Sequence, residues 1–225
     1  MTRVLAIDTS AGTSVAVVER RDGICAVLAE VNIDDPMKHA ENIGLAISQA
    51  LATANPGAPT RHPARGIDAV VVGRGPAPFT GLRVGIAAAI MFAEGLHLPL
   101  YGVVSHDAIA LAEFEGGLAL AAGEQLLVTT DARRSEVYWA TYTSQNSNGM
   151  PQRSAGPAVF KPAALQEQLA ATGMHVVASS HKLTAANLAK AYFAQHASGD
   201  SSTDVTALYL RAPDAVPTAA KKVSG

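Results

Sequence analysis

Residues 3–12 are Arg3-Val4-Leu5-Ala6-Ile7-Asp8-Thr9-Ser10-Ala11-Gly12, a short apolar run that ends in a turn sequence. Two further β-forming runs follow at 13–20 and 24–31, and connections this tight require antiparallel neighbours. The next segments alternate between helix at 36–54, an almost entirely apolar strand at 67–73, helix at 81–95 and strand at 99–103. The order β-β-β-α-β-α-β predicts an α/β protein with a mixed sheet covered by helices.

A second α/β unit is predicted after a helix at 105–115. It contains strands at 125–130, 136–143 and 174–178, helices at 162–171 and 183–196, and a polar loop at 144–156. We therefore predict an N-terminal domain over 1–104 and a smaller C-terminal domain over 105–204. The tail, 205–225, carries Leu208, Tyr209 and Leu210, so we expect it to pack back onto the body with a disordered end.

The composition excludes several classes of protein. The 225 residues are 48% hydrophobic and 16% charged, which excludes wholesale disorder. The formal net charge of −2 disfavours a protein that grips nucleic acid by itself. No window holds eighteen consecutive apolar residues and the N-terminus lacks a signal-peptide pattern, so we expect no membrane span. A lone Cys25 fits a reducing cytoplasm.

An acid at a strand end, followed by hydroxyl residues and glycine, is the first candidate site. In this pattern Asp8, Thr9 and Ser10 could hold a phosphate and its Mg²⁺, because backbone N–H groups and hydroxyls point at the anion. The alternative is an ordinary hairpin turn in which Asp8 and Ser10 bond the local backbone.

The Gly/Pro-rich loop over 73–85 leads from a buried strand into a helix. Thr80 is the expected N-cap of that helix, and Arg83 one turn later could attract an anion. The alternative is that the prolines and glycines only fix a tight turn. No Lys-Ser/Thr pair follows, so this is not a Walker loop.

Small residues four apart on two helices predict a close helix contact. Gly81, Gly85 and Ala89 form one stripe, and Ala40 and Gly44 belong to the other. With Ile47, these residues are the predicted subunit interface, packed as a four-helix bundle. On this interpretation a Gly85→Leu variant stays folded and becomes monomeric, whereas internal packing of the stripe is the alternative.

The turn after the first strand of the second unit places Asp131 beside Arg133 and Arg134. It is either a second anion contact or a solvated turn. No two of the seven histidines stand three to five apart, so no metal site is predicted. Neither a GxSxG elbow nor a CxxC motif is present.

Several of these stretches together resemble the TsaB (YeaZ) family. The resemblance rests on six blocks that occur in the same order as in the family. They are Asp8-Thr9-Ser10, His39-Ala40-Glu41, Gly75-Pro76 with Phe79-Thr80-Gly81-Leu82-Arg83, Pro99-Leu100-Tyr101-Gly102-Val103-Val104-Ser105, Asp131-Ala132-Arg133-Arg134 with Glu136-Val137-Tyr138, and Tyr209-Leu210-Arg211-Ala212-Pro213-Asp214-Ala215. It departs from the family where Ala77-Pro78 replaces Gly-Ser and where Ser135 replaces a frequent glycine.

The resemblance implies an actin-like (ASKHA, RNase H-like) fold of two related halves. It also implies a non-catalytic scaffold subunit in tRNA threonylcarbamoyladenosine synthesis, which acts at A37 of tRNAs that read A-starting codons. Such a subunit pairs with itself or with catalytic TsaD, helps recruit the ATPase TsaE, and meets tRNA only through the complex. It requires no cofactor of its own, and ATP or ADP with Mg²⁺ would bind at the complex interface.

Two other functions are alternatives to the scaffold. The fold also serves ATP-dependent small-molecule kinases, in which Asp8 would be the metal-linked carboxylate. The chain lacks the second phosphate loop and a Gly-Gly adenosine motif after the strand at 174–178, which disfavours a kinase. A peptidase-like hydrolase has no metal pair or nucleophile elbow to support it.

Overall fold

The computed structural model describes residues 1–35, 38–57 and 64–211. The elements in these ranges are β1 (Thr2–Asp8), β2 (Thr13–Arg21), β3 (Ile24–Ile33), α1 (His39–Ala54), β4 (Ala69–Gly73), α2 (Phe79–Leu96), β5 (Leu100–Val103), α3 (Ser105–Glu115), β6 (Glu124–Asp131), β7 (Val137–Gln145), β8 (Pro151–Phe160), α4 (Pro162–Ala171), β9 (His175–Ala178) and α5 (Ala185–Ser198). The predicted α/β class is confirmed.

The first sheet has the strand order β3-β2-β1-β4-β5. The hairpins make β1, β2 and β3 antiparallel, whereas the crossovers through α1 and α2 make β1, β4 and β5 parallel. The central strand β1 is buried on both faces. Leu5 and Ile7 pack under α1 and α2, and Val4 and Ala6 pack under α5. This double burial explains why the first strand is apolar without alternation.

The second sheet has the order β8-β7-β6-β9 and is also mixed, because β6 and β9 are parallel. The sequence prediction of a polar loop over 144–156 is wrong for its second half, where β8 begins at Pro151. Polar residues and prolines are typical of an edge strand, which has one unpaired side and needs no apolar alternation.

Two helices lie where the sheets meet. α3 contributes Ala108 and Leu111 to the core of the first sheet and Ile109 and Ala110 to that of the second. α5 packs on the first sheet although it follows the second one along the chain. The predicted boundary after residue 104 does separate the strands of the two sheets, but the division into domains stays a prediction.

The tail described by the structure runs back across the first sheet. Val205 and Ala207 pack against its core, and the backbone N–H of Leu208 donates to the Arg74 carbonyl at 2.8 Å. The predicted disordered end, together with the family-like residues after Arg211, falls on 212–225 and lies outside the described residues.

Both interface helices begin elsewhere than predicted. α2 starts at Phe79, directly after Pro78, and no side chain caps it, so the prediction of Thr80 as N-cap is wrong. Pro78 can stand there because the first helical N–H groups need no intrahelical acceptor. α1 starts at His39, and the predicted start at Pro36 lies outside the described residues.

Among the described residues, α2 alone is long and apolar enough to cross a membrane by length and composition, with a mean hydropathy of 1.4. Its inner face, however, packs into the protein. Leu82, Ile86 and Ala93 belong to the core of the first sheet, which is the arrangement of an amphipathic core helix.

The stripe of small residues on α2 faces inward, so the predicted surface role of Gly85 and Ala89 is wrong. Both residues are buried, and a Cβ on Gly85 would lie 2.3 Å from Oγ1 of Thr9. Gly81 is half-buried, with a Cβ position 2.8 Å from Nε2 of His39. The alternative of internal packing therefore holds for this stripe, and Gly85→Leu is expected to disrupt the fold.

Gly85→Ala should lower the free energy of unfolding by roughly 1–3 kcal/mol, the usual cost of overpacking, because its Cβ meets a side chain held on both sides. Gly95→Ala in the same helix is the matched control. Its Cβ would meet nothing within 4 Å, so it should stabilise by about 0.5–1 kcal/mol. Urea unfolding measures both. Equal effects of the two substitutions would contradict the inward packing of α2.

Candidate functional site

The Asp8 carboxylate at the end of β1 is enclosed by its neighbours. Its Oδ1 accepts a hydrogen bond from the Ser10 backbone N–H at 2.6 Å, and its Oδ2 accepts one from the Ser105 hydroxyl at 2.7 Å. A Cβ on Gly73 would lie 1.7 Å from Oδ2, so the absence of that side chain makes room for the acid. Burial raises the pKa of Asp8, although these hydrogen bonds act in the opposite direction.

The next side chain, Thr9, fixes the position of α2. Its hydroxyl donates to the Gly81 carbonyl at 2.8 Å and accepts from the Gly85 N–H at 3.2 Å. His39 at the start of α1 lies on the same side, with Nδ1 3.0 Å from Oγ1 of Thr13. Burial lowers the pKa of His39, which favours the neutral ring.

The structure brings together only part of the predicted anion site. Asp8, Thr9 and Ser10 form one cluster, in which Oγ of Ser10 lies 3.0 Å from that of Ser105. Thr80 is exposed on the first turn of α2.

Arg83 contacts the tail through its guanidinium group. Its Nε donates to the Tyr209 hydroxyl at 2.8 Å, and its guanidinium carbon lies 3.5 Å from the ring centroid of Phe79. These contacts occupy the Arg83 side chain, and its predicted part in the anion site with Asp8 stays a prediction. A helix-start arginine next to two aromatic rings stacks on them.

A cleft of about 230 Å³ opens beside Asp8, between the β1–β2 turn and the start of α5. Its lining includes the Thr13 and Thr184 side chains, the exposed Asp34 carboxylate and the exposed Lys182 ammonium. Hydroxyls beside a lysine can hold a small anion. Whether a nucleotide binds there stays a prediction.

The first turn of α3 joins the two sheets through three consecutive side chains. Ser105 bonds Asp8, Nε2 of His106 lies 2.8 Å from Oγ1 of Thr130 on β6, and Asp107 accepts from the Tyr142 hydroxyl at 2.8 Å. Burial lowers the pKa of His106 to about 3, so the ring is neutral. Both oxygens of the Asp8 carboxylate therefore accept hydrogen bonds within the protein, from Ser10 and from Ser105.

The second predicted anion contact is a strained turn between β6 and β7. Arg133, Arg134 and Ser135 all have positive φ, at 63°, 54° and 57°. Oδ1 of Asp131 accepts from the Arg133 N–H at 2.8 Å, and both arginines are exposed. The three predicted residues, Asp131, Arg133 and Arg134, thus lie on one turn, and both arginines have a backbone conformation that residues other than glycine rarely adopt.

The outer surface of α1 and α2 carries exposed apolar side chains. Leu45 on α1 is 65% exposed, and Met91 on α2 is 73% exposed. Of the predicted interface residues, Ala40 and Gly44 are also exposed on α1, and Ile47 is half-buried. We call Leu45, Ile90 and Met91 the outer apolar face.

No cluster of three or more His, Cys, Asp or Glu side chains suited to a metal occurs within 1–35, 38–57 and 64–211. The absence of a metal site stays a prediction for the whole chain.

A family model described as TsaD, tRNA N6-adenosine threonylcarbamoyltransferase, matches residues 27–220. The tRNA threonylcarbamoyladenosine biosynthesis protein TsaB of Escherichia coli is 32% identical over 167 residues, which cover 74% of this chain and 66% of that protein. The chain belongs to the TsaB (YeaZ) family, and it also matches the TsaD family model. An uncharacterized protein of Mycobacterium tuberculosis is 38% identical over 96% of this chain and 95% of its own length.

The solved structures support the same fold. YeaZ from Pseudomonas aeruginosa has a TM-score of 0.68 at 22% identity and covers 93% of this chain and 100% of that one. A second Pseudomonas aeruginosa structure, described as similar to peptidase YEAZ, has a TM-score of 0.70 at 24% identity, over 94% of this chain and 100% of that chain. The predicted actin-like fold of this TsaB-family chain is confirmed.

The sequence did not predict that Ser105 and Lys182 belong to this site. A usable signal existed for Ser105: β1, β4 and β5 are parallel, so residues just after their carboxyl ends meet at one edge of the sheet. Lys182 comes to the cleft only because α5 folds back onto the first sheet, which its local sequence does not reveal.

The raised pKa of Asp8 predicts how stability changes with pH. Since the folded-state pKa lies above the unfolded value of 3.8, the native state holds the proton more tightly. Stability from this group is fully present below pH 3.8 and falls as the pH rises through the folded-state pKa. Asparagine does not ionise, so an Asp8→Asn variant does not lose this stability as the pH rises. Its side chain has nearly the same shape as that of aspartic acid.

The test is urea unfolding of both proteins from pH 4 to pH 8. The variant should gain stability relative to the unmodified chain as the pH rises. A stability difference that stays constant or shrinks would contradict a raised pKa.

Proposed function

We propose that this chain is a non-catalytic scaffold subunit in tRNA threonylcarbamoyladenosine biosynthesis. In this role it pairs with a TsaD-type catalytic subunit and helps recruit the ATPase TsaE in the cytoplasm. Membership of the TsaB family and the name of the Escherichia coli relative support the pathway. The role of this chain within the pathway rests on its own surface.

The observation that carries the proposal is the outer apolar face. Leu45 and Met91 are both mostly exposed, and they lie on two helices that pack against each other. Burying such a side chain fully stabilises a complex by about 1.5–3 kcal/mol. Exposed apolar side chains grouped on neighbouring elements are typical of protein contact sites.

The same face would serve two partners in turn. A second copy of this chain could cover it when the chain is alone, with the four helices packed as a bundle. A TsaD-type subunit would then compete for the face, since one surface cannot hold two partners. The homodimer would therefore exchange into a heterodimer, and tRNA would be bound through the assembled complex.

The Asp8 site supports a non-catalytic role. A kinase needs this carboxylate free to face a metal ion. Here the carboxylate is 1% exposed and accepts hydrogen bonds from Ser10 and Ser105. We infer that the chain requires no cofactor, and that ATP or ADP with Mg²⁺ binds at the interface of the complex.

A small-molecule kinase remains the second candidate, because the cleft beside Asp8 contains Lys182 and two threonine side chains. A kinase requires the Asp8 carboxylate to face a metal ion, whereas a scaffold requires no chemistry of Asp8.

The double variant Leu45→Glu/Met91→Glu should stay folded, because both side chains are exposed, and should run as a monomer on a sizing column. It should also fail to capture a TsaD-type subunit from the same organism, since two carboxylates would be desolvated in the contact. Ile24→Glu is the matched control, because Ile24 is similarly exposed but lies on β3. A folded double variant that pairs normally would refute this interface.

Purified chain with Mg-ATP should release phosphate no faster than Asp8→Asn, whose side chain keeps the shape of the site but cannot carry the charge. A colorimetric phosphate assay measures this, with and without the TsaD-type subunit. Turnover by the chain alone that depends on Asp8 would replace the scaffold with a kinase.

A further inference from the structure

Two opposite charges, Asp34 and Lys182, line the cleft beside Asp8. Both side chains are exposed, and they come from different segments, since Asp34 follows β3 and Lys182 precedes α5. Neither side chain forms an ion pair or a hydrogen bond with another residue that the structure describes. A carboxylate and an ammonium that do not pair with each other can each bind the opposite charge of one ligand.

The segment that carries Lys182 is fixed by a buried carboxylate. Glu113 on α3 accepts hydrogen bonds from the backbone N–H groups of Ser180 and His181, the latter at 2.7 Å. Its second oxygen lies 3.0 Å from Nδ1 of His181. Glu113 is only 7% exposed, so these bonds lie where water competes little. The backbone next to Lys182 is therefore held in place before a ligand arrives, which lowers the cost of binding.

On the other side of the cleft, Gly12 leaves space beside the Asp34 carboxylate. Gly12 has a φ of 127°, which side chains rarely tolerate. A Cβ there would lie 3.0 Å from the Ile33 carbonyl oxygen and 3.8 Å from Oδ1 of Asp34. Because glycine has no Cβ, the β1–β2 turn can approach the end of β3 this closely and still leave the carboxylate accessible.

The charges and donors of the cleft do not suit a phosphate. The first three N–H groups of α5, which a phosphate at a helix start would use, already donate to side chains. The acceptors are Ser14, Glu30 and Thr184. Two carboxylates, Asp8 and Asp34, line the cleft with one ammonium, so its walls carry no positive excess. A ligand that carries both charges matches these walls better than a dianion.

We propose that the cleft binds a small zwitterion of the α-amino acid class, whose ammonium faces Asp34 and whose carboxylate faces Lys182. The volume of about 230 Å³ is smaller than the roughly 300–1,000 Å³ of sites for drug-sized ligands. The half-buried Ile33 and Leu183 also line the cleft, so a short apolar side chain fits there. The Thr184 hydroxyl accepts from a backbone N–H, and its own proton can be donated to the ligand's carboxylate.

This inference goes beyond the proposed function and does not rest on it. The cleft lies within one chain, and its lining contains none of the three residues of the outer apolar face. Binding can therefore be measured on the chain alone, whether or not it pairs with a TsaD-type subunit.

The first experiment titrates the isotope-labelled full chain with L-alanine, L-serine and L-valine, and NMR follows the backbone amide resonances of Gly12 and Lys182. At least one amino acid should shift both resonances saturably, with a Kd of roughly 1 mM, because contacts between exposed charges are weak. Ethylamine and propionate each lack one of the two charges of L-alanine. Each should bind roughly fivefold more weakly than the best amino acid. Inorganic phosphate and AMP are the competing probes and should bind more weakly still.

The second experiment repeats the titrations with Asp34→Asn and Lys182→Gln, which remove one charge each and leave exposed side chains of similar size. Each variant should bind the best amino acid roughly fivefold more weakly. Asp34→Asn should also lose the preference over propionate, and Lys182→Gln the preference over ethylamine. Asp200→Asn and Lys161→Gln are the matched controls and should bind normally. Both residues are exposed, and Asp200 follows the far end of α5, a helix about 20 Å long.

Unchanged resonances of Gly12 and Lys182 with all three amino acids would overturn the proposal. Normal affinity in the two cleft variants, or an equal loss in the two controls, would also overturn it. If phosphate or AMP bound more tightly than every amino acid, the cleft would be an anion or nucleotide site, and the assignment of a zwitterion would be wrong.

Discussion

The contact between the Thr9 hydroxyl and the backbone of α2 is the constraint on which the rest of the structure depends. Thr9 bonds both the Gly81 carbonyl and the Gly85 N–H, so this side of the helix must face β1. Residues along an α-helix are about 100° apart, so Ile90 lies nearly opposite the side that faces Thr9, and Met91 lies about 100° around the helix from that side; both are exposed. One hydroxyl between two glycines thus determines which face of α2 is offered to a partner.

The hydrogen bonds at the carboxyl ends of the first sheet's strands favour a scaffold over a kinase. In an open α/β sheet, ligands bind outside the carboxyl ends of the strands. At this edge Asp8 is bonded to Ser105, and Thr9 is bonded to α2. Groups that could face a ligand are turned inward to hold helices. The neighbouring cleft keeps Lys182 exposed, so ligand binding there is a separate question from catalysis by Asp8.

The sequence predicted the order of strands and helices along the first half of the chain, and its mixed sheet, because tight turns and apolar runs are local signals. It failed where the answer depends on packing. Gly85 has the same small side chain whether its stripe faces a partner or Thr9, so spacing alone could not decide. The contact of Arg83 with Tyr209 could not be predicted, because Tyr209 is distant in sequence. β8 was missed because an edge strand tolerates polar residues and prolines.

Oxidation of Met91 by dilute peroxide tests most directly whether the outer apolar face is covered by a partner. Met91 is 73% exposed, Met1 is 78% exposed and Met150 is 8% exposed, so the chain contains its own reference residues. With the chain diluted below self-association, a saturating TsaD-type subunit should slow sulfoxide formation at Met91. Met1 should react as before, and Met150 should stay slow. An unchanged rate at Met91 in the saturated complex would contradict the account.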